Sequence, residues 1–88
     1  MNDDGYGYEN EYHVNPKERD RVYRLLLEEI RTNQSSRKHW EEMINMPDEV
    51  KEREIFGFDC QISALGRFGE KIFGMKRKDL YKEAEKLP

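Results

Sequence analysis

The chain has 88 residues, 35% of them apolar and 40% charged, which suits one domain with a small core. Its 16 Lys and Arg nearly balance 19 Asp and Glu, for a net charge of −3, so it is neither a basic duplex coat nor an acidic DNA mimic. No apolar run reaches the ~20 residues of a membrane-spanning helix, no signal peptide is visible, and the one cysteine, Cys60, excludes an internal disulfide framework. These features predict no membrane partner and a reducing, cytoplasmic location.

Charge is unevenly spread, at −4 over residues 1–12, −2 over 13–60 and +3 over 61–88. Residues 1–13 form an acidic head whose Gly5 and Gly7 favour flexibility, ahead of a single helical domain over 14–88. Tyr6, Tyr8, Tyr12 and Val14 all fall on even positions, so an extended chain would set them on one face. Two readings stand: a flexible acidic tail, or a strand that pairs with a sheet edge.

The next segment announces a helix. Asn15 can cap it, Pro16 fits its first position, and Glu18 stands where a capping box would close. Val22, Leu25, Leu26 and Ile30 build one apolar stripe, which Tyr23 and Leu27 widen. Asp20–Arg24 and Arg24–Glu28 are opposite charges one turn apart, worth ~0.2–0.5 kcal/mol each. The run Thr32-Asn33-Gln34-Ser35-Ser36 predicts the end of this helix, because such side chains compete for backbone hydrogen bonds.

A shorter helix is expected over Arg37 to Asn45, with Trp40, Met43 and Ile44 along its apolar edge. Pro47 ends it, and Asp48 and Glu49 supply negative charge to the first turn of a third helix through Val50 to Ile55. Residues 56–62 admit two structures. Phe56, Phe58, Cys60 and Ile62 alternate as on a strand, which would pair with residues 6–14 and make the fold α+β. Alternatively Gly57 is a break and Asp59 caps a helix carrying Ile62, Leu65, Phe68, Ile72 and Phe73 on one face. The helix is preferred, since its apolar pattern continues for three turns. Gly74 then stops it in a left-handed conformation, and a last helix runs from Arg77 to Leu87 with Leu80, Ala84 and Leu87 inward. The expectation is an all-α bundle of four to five short helices.

Little in the chain announces catalysis. Cys60, Ser35, Ser36 and Ser63 are the available nucleophiles, and His13 and His39 the available bases, but no motif joins them. Cys60 beside an apolar run reads as a buried structural thiol. His13, His39 and Cys60 are too far apart in sequence to suggest a metal site. Gly66, Gly69 and Gly74 match neither a dinucleotide fingerprint nor a phosphate loop. Gly66 and Gly69 instead read as a place where another helix comes close. No catalytic residue, cofactor or metal ligand is assigned, and the chain is read as a non-enzyme.

Two functional readings follow. The first is an interaction or regulatory module that binds and modulates a protein partner, with inhibition by steric occlusion or by trapping the partner's inactive state as the expected mode. Its contact candidates are Tyr6, Tyr8, Tyr12, Trp40, Met43, Met46 and Phe56, residue types that dominate interfaces. In style it resembles the small inhibitors and adaptors that phages and mobile elements encode. The second rests on Phe73, Gly74, Met75 and Leu80, whose order resembles the centre of a helix-turn-helix, although Glu70 and Glu83 stand where small or apolar residues are usual. That resemblance implies a small transcriptional regulator with Lys76, Arg77, Lys78 and Lys82 toward nucleic acid, acting as a dimer. The broad apolar helical faces serve equally as a private core or as a homodimer seam.

Overall fold

A computed structural model of the protein describes residues 15–88. These residues form three α-helices and no strand: α1 (Pro16–Glu41), α2 (Asp48–Phe73) and α3 (Arg77–Glu85). The all-α expectation holds, but two helices of 26 residues replace the four short ones expected before the last. The head, residues 1–13, and the proposed strand over 6–14 lie outside the described residues.

The start of α1 follows its local chemistry. Asn15 Oδ1 accepts a hydrogen bond from the Lys17 N–H at 2.8 Å, and Pro16 occupies the first turn. The polar run at 32–36 does not end the helix, and two of its side chains make bonds that leave the helix continuous. Asn33 Nδ2 donates to the Glu29 carbonyl one turn back, at 2.9 Å, and Asn33 is itself buried. Gln34 Nε2 reaches the Tyr81 carbonyl of α3 at 3.4 Å. Tertiary packing thus overrides a weak local preference. The helix finally stops at Glu41, and residues 42–47 make the reversal. Lys51 Nζ reaches back from α2 to the Met43 carbonyl at 2.7 Å and ties this turn down.

Pro47 separates the two long helices as expected, with Asp48 and Glu49 in the new first turn. From there α2 continues through Gly57 without a break, absorbing both the expected 50–55 helix and the alternative strand at 56–62. A helical glycine costs ~1 kcal/mol against alanine, yet Ile55, Phe58, Ile62 and Leu65 are all half-buried at helical spacing. Continuing the helix keeps them on one side. The strict alternation of 56–62 is therefore incidental: Phe56 and Cys60 are exposed, whereas Phe58 and Ile62 are half-buried.

The long helices run antiparallel. Tyr23 meets Phe73 edge-on, with ring centroids 5.2 Å apart, and Arg37 meets Asp59 further along. Gly74 ends α2 at φ 67°, with its N–H on the Glu70 carbonyl at 3.0 Å, as the left-handed stop requires. Three residues later α3 folds back over the hairpin. Its Leu80 and Ala84 are fully buried with Leu26, Leu27 and Ile30 of α1, and these five residues are the core. Two expectations need correcting here: Leu25 is 54% exposed and Phe68 46% exposed. The buried positions of α2 are instead two glycines, Gly66 and Gly69.

Those glycines admit α3. A Cβ on Gly69 would collide with Leu80 Cδ1 and lie 2.9 Å from Leu26 Cδ2, so all three helices converge on that hydrogen. On Gly66 it would meet the Arg77 stem at 2.6 Å and the Tyr81 hydroxyl at 2.7 Å. Close approach is what their absent side chains allow. Beyond this crossing α3 has ended, and the hairpin continues as two helices alone.

Candidate functional site

The two-helix end is where side chains remain unused by the core. Among the described residues every buried apolar side chain belongs to the α3 crossing, and none lies between residues 31 and 79. Ile44 in the turn is 90% exposed, and Phe56, within the first half of α2, is 68% exposed. Met43 and Met46 are half-buried in the turn, and with Ile44 and Asn45 they line a shallow, mostly apolar depression. Trp40, in the last turn of α1, is half-buried.

One link between α1 and α2 and one between the turn and α2 hold this end in register. Arg37 Nε contacts Asp59 Oδ1 at 2.5 Å, and its Nη1 contacts Glu41 Oε2 at 2.7 Å. The hydrogen bond to Asp59, then that to Glu41, hold the Arg37 guanidinium still more firmly protonated than usual. The pair is half-exposed, so its contribution to stability stays below ~1 kcal/mol. Lys51 on the Met43 carbonyl is the other link. The tip is therefore a positioned loop with apolar side chains directed outward.

Of the expected contact residues, Trp40, Met43, Met46 and Phe56 share this end of the hairpin. Tyr6, Tyr8 and Tyr12 lie outside the described residues. Ile44 joins the set although the sequence suggested an inward helical role for it. Because α1 stops three residues earlier, Ile44 falls in the turn. Pro47 was the available signal, since a helix rarely persists up to the residue before proline.

The basic corner is built differently. Lys76 precedes α3, and Lys76, Lys78 and Lys82 are exposed. Arg77 is turned onto α2, with Nε 3.2 Å from Glu70 Oε2 and Nη1 3.4 Å from Ser63 Oγ. Its alkyl stem lies across Gly66. Glu70, one of the two residues that depart from the helix-turn-helix outline, is thus the one that engages the Arg77 guanidinium of the corner.

The chemical candidates do not converge. Cys60 is exposed, which corrects the expectation of a buried thiol. Its phase on a continuous α2 differs by about 160° from that of half-buried Phe58 and Ile62. His39 is exposed on α1, and Ser63 accepts from Arg77. Among the described residues no three His, Cys, Asp or Glu side chains cluster as metal ligands, and no helix is long and apolar enough to cross a membrane. Burial raises the Tyr81 phenol above the ordinary tyrosine value, with its hydroxyl donating to the Ile62 carbonyl at 3.4 Å. That hydroxyl is a structural tie between α3 and α2.

No protein-family model matches this chain, and no curated protein or solved structure is significantly similar to it.

Proposed function

We propose that this protein is a non-enzymatic interaction module that presents the hairpin tip to a protein partner and modulates it by occlusion. The observation that carries the reading is the tip itself. Ile44 stands exposed beside half-buried Met43 and Met46 on a turn held by Lys51, and exposed Phe56 of α2 and half-buried Trp40 of α1 lie on the helices that lead into and out of that turn. Large apolar and aromatic residues on a preorganised frame lose little entropy on binding and form the centres of interfaces. Methionines beside them adapt to a partner's contour. The acidic head supplies a second contact under this reading, through Tyr6, Tyr8 and Tyr12.

The test is affinity capture from native extract with the wild-type chain and with Ile44→Asp and Phe56→Glu. Both variants change exposed residues, so circular dichroism should remain unchanged. A specific partner should be captured by the wild type and lost from both. Capture that is indifferent to the tip contradicts the reading. A DNA-binding regulator draws support from the exposed Lys76, Lys78 and Lys82 after the Gly74 corner, but it must do without Arg77 unless the Glu70 pair opens. Salt-dependent duplex binding that falls on Lys78→Glu and Lys82→Glu would replace the interaction reading with that one.

A further inference from the structure

At the end of the hairpin opposite the tip, a small open cleft lies between the start of α1 and the Gly74 corner. Arg19, Asp20, Tyr23, Phe73 and Met75 line it, and it holds about 210 Å³. Its floor is apolar: Tyr23, Phe73 and Met75 are half-buried and pack against the core. The Arg19 guanidinium lies over the Phe73 ring, 5.0 Å from its centroid. That lining suits a phenol. The ring would rest on two aromatic rings and a thioether, and its hydroxyl could donate to the Asp20 carboxylate.

Charge distinguishes this end from the tip. Residues 15–21 sum to +1 and residues 70–79 to +2, with Glu18, Asp20, Glu70 and Asp79 included. Residues 41–54, which make the tip, sum to −4. The head carries −4 over residues 1–12, so it is repelled by the tip and attracted to the corner. Reach makes the same choice. The chain enters α1 at Asn15, four residues or ~6 Å along the axis from Arg19. At ~3.6 Å per residue, Tyr12 extends ~11 Å from Asn15, enough to meet the cleft. Tyr6, the tyrosine farthest from α1, extends ~32 Å, which falls short of the far end of 26-residue α1, ~39 Å away.

We propose that the acidic head, residues 1–13, docks on this end of its own chain and is held there by opposite charge. The Tyr12 ring occupies the cleft, and Glu9 and Glu11 lie toward the cations around it. Docked in this way, the head sets its carboxylates beside Lys76 and screens the basic corner from other anions. The inference does not rest on the partner-binding reading. The tip stays open with the head in place, and a head that meets a partner first leaves the corner.

Nuclear magnetic resonance on the full chain tests it. At low salt the Tyr12 ring protons should show cross-relaxation with the Met75 methyl group, at an intensity unchanged by dilution. The combined substitution Asp3→Asn, Asp4→Asn, Glu9→Gln and Glu11→Gln should abolish that contact. All four positions precede α1, so helical circular dichroism should be retained. The wild-type contact should also weaken in about 1 M salt, where the Debye length is ~3 Å. Absence of any Tyr12–Met75 contact in the wild-type chain at low salt overturns the proposal. So does a contact that persists in the neutralised chain. A contact found only between differently labelled chains also overturns it, and assigns the cleft to the head of a second copy.

Discussion

The two ends of the hairpin are built from the same pair of helices and differ in one addition. Where α3 crosses, Leu26, Leu27, Ile30, Leu80 and Ala84 are withdrawn from water. Toward the turn, the same helices meet only each other, and Ile44 and Phe56 remain in solvent. A pair of helices has one mutual seam, so each keeps an apolar flank that only a third element can cover. The buried core therefore sits at one end alone, whereas exposed apolar side chains occur at both, Leu25 and Phe68 beside the crossing and Ile44 and Phe56 toward the turn. Binding surfaces tend to occupy regions where local stability is lowest.

The comparison breaks most visibly at Leu80. Leu80→Ala empties a fully buried site and should cost ~2–5 kcal/mol, a large share of the stability of a domain this small. Ile44→Ala at the tip should stay within ~0.5 kcal/mol, as surface changes do. Urea unfolding of the two variants measures the contrast.

Next comes the helix crossing. Gly69→Ala pushes a methyl into Leu80, which has no free space to withdraw into, and overpacking of this kind costs ~1–3 kcal/mol. The gain in helix propensity, ~1 kcal/mol, offsets only part of that. Gly66→Ala meets the Arg77 stem and the Tyr81 hydroxyl, both half-buried and able to shift. Its effect should be smaller, with a melting temperature nearer the wild type.

A smaller effect belongs to the tip. Arg37→Ala removes the Asp59 and Glu41 contacts, and should lower stability by under ~1 kcal/mol, with the difference shrinking in high salt. The same change should speed amide exchange around the turn while leaving the α3 crossing unaffected.

The smallest is a pH dependence, again confined to the α3 end. Burial raises the phenols of Tyr81 and Tyr23 above the ordinary 10.0, with Glu83 adding to the rise at Tyr23. A raised folded value favours the neutral phenol in the folded state. Its contribution is complete below the unfolded pKa and disappears as pH rises through the folded one. Denaturation midpoints should thus fall as pH rises above about 10, and Tyr81→Phe should remove part of that slope.

Local signals placed the ends of the elements well. Asn15-Pro16, Pro47 and Gly74 each mark a boundary found in the structure, and each acts through its own backbone restriction. The sequence misled where a boundary was inferred from competing polar side chains or a lone glycine. Asn33 bonds backward within α1, and Gly57 faces open space in α2, so neither interrupts its helix. Splitting the helices also misassigned phase: Cys60 was expected inside, and Ile44 was assigned to a helix edge. The apolar composition of the tip was legible in Trp40, Met43, Met46 and Phe56. That it remains uncovered was not, because it depends on how far α3 reaches.

Native-state hydrogen exchange tests the division between the two ends most directly. Amides around Leu26–Ile30, Gly66–Gly69 and Leu80–Ala84 should exchange only through global unfolding, whereas those of residues 36–41 and 48–58 should exchange through cheaper local openings. Equal protection in both sets, falling together with denaturant, would mean that the hairpin unfolds as one unit and that the tip is no less stable than the α3 crossing.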